Sequence, residues 1–267
     1  MKHFLLNLTW QCPNRCPYCW MRKTVALRPE LYDAPTRPLA DWVAAIHRDK
    51  PELVDIAGGE PLLVEWLPEL MSACPSTYFG VSTNGLISDG VLRLCKAQPQ
   101  NIVAINVSYH PDASARWVWY DARWQWAVSV LRQAGFRVHV NVVDYANNVA
   151  RSQAALGWLN AQSIPHEVSP YEEVAGLGGY RSLGLVCKGG INHLTVGPDG
   201  MAWPCLTVLR SPYWEELVLG NWLDGTIDLT RKPVPCYLDC ADYYILPSQH
   251  VAGDMWCIEA RPWGETA

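Results

Sequence analysis

The sequence predicts an α/β protein, an open partial (β/α)6 TIM-like barrel with a small C-terminal unit appended, on three observations. Short apolar runs alternate six times with segments of helical period between residues 4 and 169. Polar groups stand at most strand exits, where parallel α/β folds build their sites. A glycine-rich link (Gly176, Gly178, Gly179, Gly184) then leads into a cysteine-bearing hairpin. At 267 residues the chain has room for one large domain, 1–175, and an appendage, 176–267.

Residues 4–10 read as strand one, a buried apolar run. Residues 20–37 read as loop, with Arg22, Lys23, Arg28 and Arg37 around Pro29 and Pro35. Leu39, Trp42, Val43 and Ile46 give a helix over 39–47 that ends near Pro51. Residues 53–57 form strand two and run into Gly58-Gly59-Glu60-Pro61, where a glycine pair lets the backbone approach a ligand or take positive φ. A helix is expected over 62–71, strand three over 77–83 with an Asn84-Gly85 turn, and a helix over 88–96.

Strand four, 101–108, leads to Tyr109-His110-Pro111-Asp112. His110 is a candidate acid or base because histidine titrates near working pH; a hydrogen-bonded structural role is the alternative. Trp117, Tyr120, Trp124, Val128 and Leu131 make a stripe that predicts a helix over 117–134 with a core face, and Gly135 is its C-cap. Strand five covers 136–143, a helix 148–162, and strand six 165–169. Glu172 follows strand six and is a second candidate base. Right-handed crossovers curl such units into an open barrel.

Lys+Arg 21 against Asp+Glu 26 gives a net charge of −5, so there is no general electrostatic footprint for nucleic acid or an anionic membrane. The cations of 22–37 could still form a local patch, so nucleic acid is not excluded as a partner. No signal peptide and no apolar run long enough for a membrane span is present. Ten cysteines without an export signal argue for metal ligation in a reducing compartment, the cytoplasm. The 14 Trp and 12 Tyr against 3 Phe suit pockets and interfaces, or simply a Trp-rich core.

The densest chemistry follows strand one. Cys12-Pro-Asn-Arg-Cys16-Pro-Tyr-Cys19 reads C-x3-C-x2-C, and three thiolates this close reach one metal centre without long loop closure. Soft thiolates select iron–sulfur clusters, zinc or Cu(I). Three cysteines leave one corner of a cubane open, whereas a structural zinc site is closed by four ligands. The alternative is a zinc site completed by His3 or a distant residue, although C-x3-C-x2-C is not a usual zinc spacing.

C-x3-C-x-Φ-C with Tyr18 as the aromatic Φ, followed about forty residues later by GGEP after a strand, resembles the signature of the radical S-adenosylmethionine (SAM) superfamily. The resemblance covers residues 1 to about 170. It implies a catalytic [4Fe-4S] cluster on Cys12, Cys16 and Cys19, with SAM chelating the open iron and cleaved to methionine and a 5′-deoxyadenosyl radical. It further implies that Gly58, Gly59 and Glu60 receive the methionine amino group. Ser82, Thr83, Asn84 and Ser108 would contact carboxylate or ribose, Asn141 would reach SAM from strand five, and Tyr18 would flank the cofactor. A reductant such as flavodoxin or ferredoxin is implied as partner.

Beyond the link, Leu194–Val196 and Met201–Trp203 flank Gly-Pro-Asp-Gly as a hairpin bracketed by Cys187 and Cys205, with Cys236, Cys240 and Cys257 downstream. A zinc ribbon shares that habit. C-x12-G-x4-C with later cysteines also resembles the twitch and SPASM extensions of radical SAM enzymes. Five cysteines fill one four-thiolate cubane and not two. One auxiliary cluster is implied, on Cys187, Cys205, Cys240 and then Cys236 ahead of Cys257. The C-x3-C of Cys236 and Cys240 departs from the longer SPASM block. Cys74 and Cys95 read as small buried hydrophobes.

An auxiliary cluster can take the second electron after hydrogen abstraction, so the resemblance implies two-electron oxidation, or rearrangement, of a small molecule or short peptide. Twitch relatives dehydrogenate aminocyclitols; SPASM relatives mature sulfatases or crosslink peptides, often with an extra leader-binding domain. Since the chain opens on strand one, no such domain is expected, and a small substrate, or a short unit presented by a partner, is favoured. The rival classes are modification or isomerisation of a nucleotide or nucleic-acid base, stacked on Trp and Tyr, and a non-catalytic iron–sulfur scaffold or electron carrier.

Overall fold

A computed structural model describes residues 2–19, 21, 32–33, 35–144, 148–170, 193–205 and 218–227, together with strand backbone at 180–181, 185–187, 234–236, 239–240 and 258–259. Six parallel strands lie side by side in chain order: β1 His3–Asn7, β2 Leu53–Ala57, β3 Tyr78–Thr83, β4 Ile102–Tyr109, β5 Val138–Asp144 and β6 His166–Pro170. Between them run α1 Leu39–Asp49, α2 Leu67–Ala73, α3 Ser88–Ala97, α4 Pro111–Arg116, α5 Tyr120–Gln133 and α6 Val149–Ala161.

The two faces of this sheet differ. Phe4, Leu6, Val54, Ile56, Phe79, Val81, Ile105, Val107, Val138, Val140 and Val142 pack under Trp42, Ile46, Leu70, Leu94, Trp124, Leu131 and Leu159 of the helices in one apolar core. The alternate positions are largely polar. Register places Asp55 beside Leu5 and Gly80, Ser82 beside Asn106, Asn106 beside His139, and Asn141 between Ser108 and Glu167. Successive residues point to opposite faces of a strand, so these side chains form the inner wall of the open barrel.

Two expected helices break differently. In place of one helix over 62–71 there are a 3-10 turn, Pro61–Leu63, and α2, each begun by a proline in its first turn. The helix expected over 117–134 begins only at Tyr120; Pro111 starts the separate short α4, and Trp117 is its C-cap.

The hairpin exists, and it joins the barrel sheet. Its strands are β9 His193–Val196 and β10 Met201–Trp203, with β11 Gly220–Asn221 outside them. β9 pairs in parallel with β1, from His3↔His193 to Leu6↔Val196, giving a nine-stranded sheet in which β1 is held on both sides. Trp222 locks this extension down. It is 0% exposed, lies edge-on to Phe4 and beside Trp42, and donates from Nε1 to Asp49 Oδ2 at 2.6 Å, while Arg48 donates to its carbonyl at 2.6 Å. Trp222→Ala is expected to cost about 3–5 kcal/mol, read as a lower urea midpoint of the full-length protein.

Backbone register also orders the downstream cysteines. β8 Leu185–Cys187 lies between β12 Val234–Cys236 and β14 Ile258–Glu259, with Cys187 opposite Val234 and Ile258. β13 Asp239–Cys240 pairs with β7 Tyr180–Arg181. No helix among the described residues is long and apolar enough to cross a membrane.

Candidate active site

The cysteine loop leaves the C-terminal end of β1 and is pinned against the turn that leaves β2. The Gly59 amide donates to the Thr9 carbonyl at 2.7 Å, and the Glu60 amide donates to the Gln11 carbonyl at 2.8 Å. The glycines permit this contact. Gly58 has φ +108, and a Cβ there would come within 2.6 Å of the Thr9 carbonyl oxygen; a Cβ on Gly59 would overlap the Gln11 carbonyl. What the glycine pair admits is thus the cysteine loop itself.

Glu60 is 1% exposed. Its Oε1 accepts from the Leu62 amide at 3.1 Å and the Thr83 hydroxyl at 2.6 Å, and its Oε2 accepts from the Asn84 amide at 2.8 Å. Burial pushes its carboxyl up to about 7, against the pull of those three donors. Asn84 in turn donates from Nδ2 to Cys12 Sγ at 3.6 Å. Three strand ends, β1, β2 and β3, therefore meet at one carboxylate and one thiol. Thr83 and Asn84 also close their own turn, accepting from the Gly85 and Leu86 amides.

Burial pushes the Cys12 thiol up to about 12, with Glu60 adding to it, and raises Cys16 well above its ordinary range. Cys19 opposes the ionisation of both, and Cys12 that of Cys16, so the three sulfurs share one electrostatic environment. A metal centre bound here would take these groups as thiolates and release their protons. Among the described residues no three His, Cys, Asp or Glu side chains converge on a single ion; a cubane takes each thiolate on its own iron and does not require that. His3, the zinc alternative's fourth ligand, is bound through Nε2 to Asp55 Oδ2 at the opposite end of β1, roughly 15 Å of strand away from the loop. The donor set fits an iron–sulfur cluster and not a His3-completed zinc ion.

Tyr18 is buried with its hydroxyl 3.0 Å from His110 Nδ1. Burial raises its phenol, with Cys16 and Asp112 adding to the effect. His110 is held at about 4 by withdrawal from water, Arg116 adding and Asp112 opposing, so its ring is neutral at working pH. It orients Tyr18, and its amide donates to the Tyr120 hydroxyl at 2.9 Å. Asp112, which accepts from Arg116 at 3.1 Å, is a residue of this neighbourhood that the sequence did not single out. Its only signal was a Pro-Asp pair after a strand, which also starts α4.

Ser108 and Asn141 sit side by side on the inner wall, and Ser82 lies lower beside Asn106. The side-chain oxygens of Asn106 and Asn141 are buried acceptors without a hydrogen-bond partner among the described residues. A polar cofactor in the barrel would satisfy them, so these residues fit SAM. Cys205, at the end of β10, is buried in a cluster with Trp10, Met21 and Trp203 that Cys19 also borders. Cys74 is buried and Cys95 packs at the core edge, as expected of small hydrophobes. Glu172 and Cys257 lie outside the described residues, and so do Arg22, Lys23 and Arg28.

A pH effect follows from Glu60. Its folded carboxyl holds a proton more tightly than the ordinary value of 4.5 allows, so its contribution favours the fold below about 4.5 and is lost as pH rises through about 7. The expected size is on the order of 3 kcal/mol. In the cluster-free protein, urea stability should fall between pH 5 and 8 more steeply for wild type than for Glu60→Gln.

Comparison with known proteins bears on this site. The family model of the Radical SAM superfamily matches residues 6–146. No curated protein matches the sequence significantly. Among solved structures, native anSMEcpe with bound AdoMet and Kp18Cys peptide is similar at a TM-score of 0.58 and 12% identity, over 83% of this chain and 78% of that one. Native anSMEcpe with bound AdoMet gives 0.57 and 13% over the same shares. At such identity the likeness is one of fold.

Proposed function

The chain belongs to the radical SAM superfamily, and from this premise we propose an enzyme that abstracts hydrogen from an organic substrate and oxidises or rearranges it. A catalytic [4Fe-4S] cluster with bound SAM supplies a 5′-deoxyadenosyl radical by reductive cleavage. Cys12, Cys16 and Cys19 hold the cluster. Glu60, a buried acceptor with no cation beside it among the described residues, receives the methionine ammonium; Ser82, Thr83, Asn84, Ser108 and Asn141 line the rest of that pocket. Tyr18, steadied by His110, closes the loop side against water.

The observation that carries this reading is the seam between the cysteine loop and Gly59-Glu60, which fixes a buried carboxylate beside Cys12, the first of the three thiols. An electron carrier has no use for such a carboxylate. For residues 176–267 the reading is a twitch-like unit with one auxiliary [4Fe-4S] cluster on four of Cys187, Cys205, Cys236, Cys240 and Cys257. Its support is the three-stranded sheet that carries Cys187 and Cys236 and whose third strand begins just after Cys257. Two-electron oxidation of a small molecule or short peptide, with flavodoxin or ferredoxin as reductant, is the reaction favoured.

Anaerobic reconstitution should load about eight irons, two cubanes' worth, and the reduced protein should release 5′-deoxyadenosine from SAM. About four irons with 5′-deoxyadenosine release would remove only the auxiliary cluster. A colourless zinc protein that releases none would overturn the whole reading.

A further inference from the structure

The loop from α4 to α5, above the C-terminal end of β4, carries an exposed ladder of side chains. Trp117 and Trp119 stack with centroids 5.2 Å apart and planes 8° from parallel. The Arg116 guanidinium lies over the Trp117 ring at 5.1 Å and that of Arg123 over the Trp119 ring at 5.2 Å. Between the indoles, Val118 is 102% exposed, and Trp119 is 48% exposed. A single exposed apolar residue is ordinary. Four side chains ordered around one in a cation–π stack make a rigid, amphipathic platform. α4, which leads into this loop, is capped at its N-terminus by His110, which touches Tyr18 of the cysteine loop, so the platform lies one short helix away from the candidate site.

Its chemistry narrows the partner. One face of each indole is taken by the other indole, and a guanidinium also lies over each ring. Nucleobases bind such residues by stacking on an open face, and here they would have to compete with an arginine. Val118, Trp119, Arg116 and Arg123 are the exposed residues of this surface. Arg116 is paired with Asp112, whereas among the described residues no carboxylate pairs with Arg123. Apolar contact beside a spare cation matches a carboxylate next to an aliphatic or aromatic side chain, in a chain that otherwise carries net negative charge.

We propose that Arg116, Trp117, Val118, Trp119 and Arg123 form a docking surface for an acidic, apolar segment of a polypeptide substrate. It rests on the radical SAM reading only for what then happens to that polypeptide. A random twelve-residue peptide library on phage is panned on the immobilised full-length protein after depletion on a V118D/R123E double variant, both changes being at exposed positions. Enriched sequences should carry Asp or Glu beside Leu, Ile or Phe. As fluorescein-labelled synthetic peptides they should bind wild type at least tenfold more tightly than the double variant. Their Lys-for-Glu counterparts and a labelled dT12 oligonucleotide should not bind. Sequences without acidic residues, equal binding by the variant, or preference for dT12 would overturn the proposal. The double variant should release 5′-deoxyadenosine at the wild-type rate when no peptide is present. A wild type that binds the peptides and releases none overturns the radical reading and leaves the docking surface standing.

Discussion

A Cys16→Ala protein, reconstituted without oxygen, is expected to release 5′-deoxyadenosine only at background, a loss of roughly a thousandfold or more. Cys16 is the most deeply buried of the three thiols, beside Tyr18 and under the influence of Asp112. Two remaining thiolates leave two irons of a cubane without protein ligands. Bound iron should fall from about eight to about four per chain, and the reduced protein should lose one of two electron-paramagnetic signals. Retained 5′-deoxyadenosine release would dismiss this loop as the seat of the chemistry.

The second large effect concerns a residue without a side chain. Gly59→Ala is expected to lower stability by about 2–4 kcal/mol and to empty the N-terminal cluster site while leaving downstream iron in place. The added methyl would overlap a backbone carbonyl on the cysteine loop, and no rotamer change relieves a clash between two main chains. The loop must lift, breaking the hydrogen bonds that the Gly59 and Glu60 amides donate to the Thr9 and Gln11 carbonyls. Gly157→Ala is the control. It lies within α6 with nothing near a would-be Cβ, so a gain of about 0.5–1 kcal/mol is expected. Urea unfolding and iron content separate the two substitutions.

How much of this was legible beforehand follows the range of each interaction. Strands two to six were readable because each apolar run is local and flanked by turn signals. Strand two was read at its observed limits, 53–57. The cysteine loop and GGEP were visible as motifs, but their contact was not. Gly58 and Gly59 looked like groups that admit a ligand, and only the fold shows which backbone they admit. The helix expected from Trp117 failed because its stripe counted Trp117 in phase with Tyr120 and Trp124. Pro111 instead opened a short helix that ends before Trp117, freeing Trp117 to stack on Trp119. The polar inner wall was missed since buried parallel strands were read as apolar runs. In β4 and β5 the pattern alternates, Asn106 and Ser108 against Ile105 and Val107, a signal that was present and unused.

The marriage of β9 to β1 imposes a timetable on the ribosome. When the cysteine loop emerges, one flank of the strand bearing it can be zipped up once residue 57 has been made, but the other flank stays bare until residue 196 has been made. Throughout that interval nascent chains carry an open hydrogen-bonding edge next to unfilled thiols, inviting strand-to-strand sticking between neighbouring polysomes. The hazard ends once β9 is available to pair, and a cluster inserted from then on meets a strand held on both flanks.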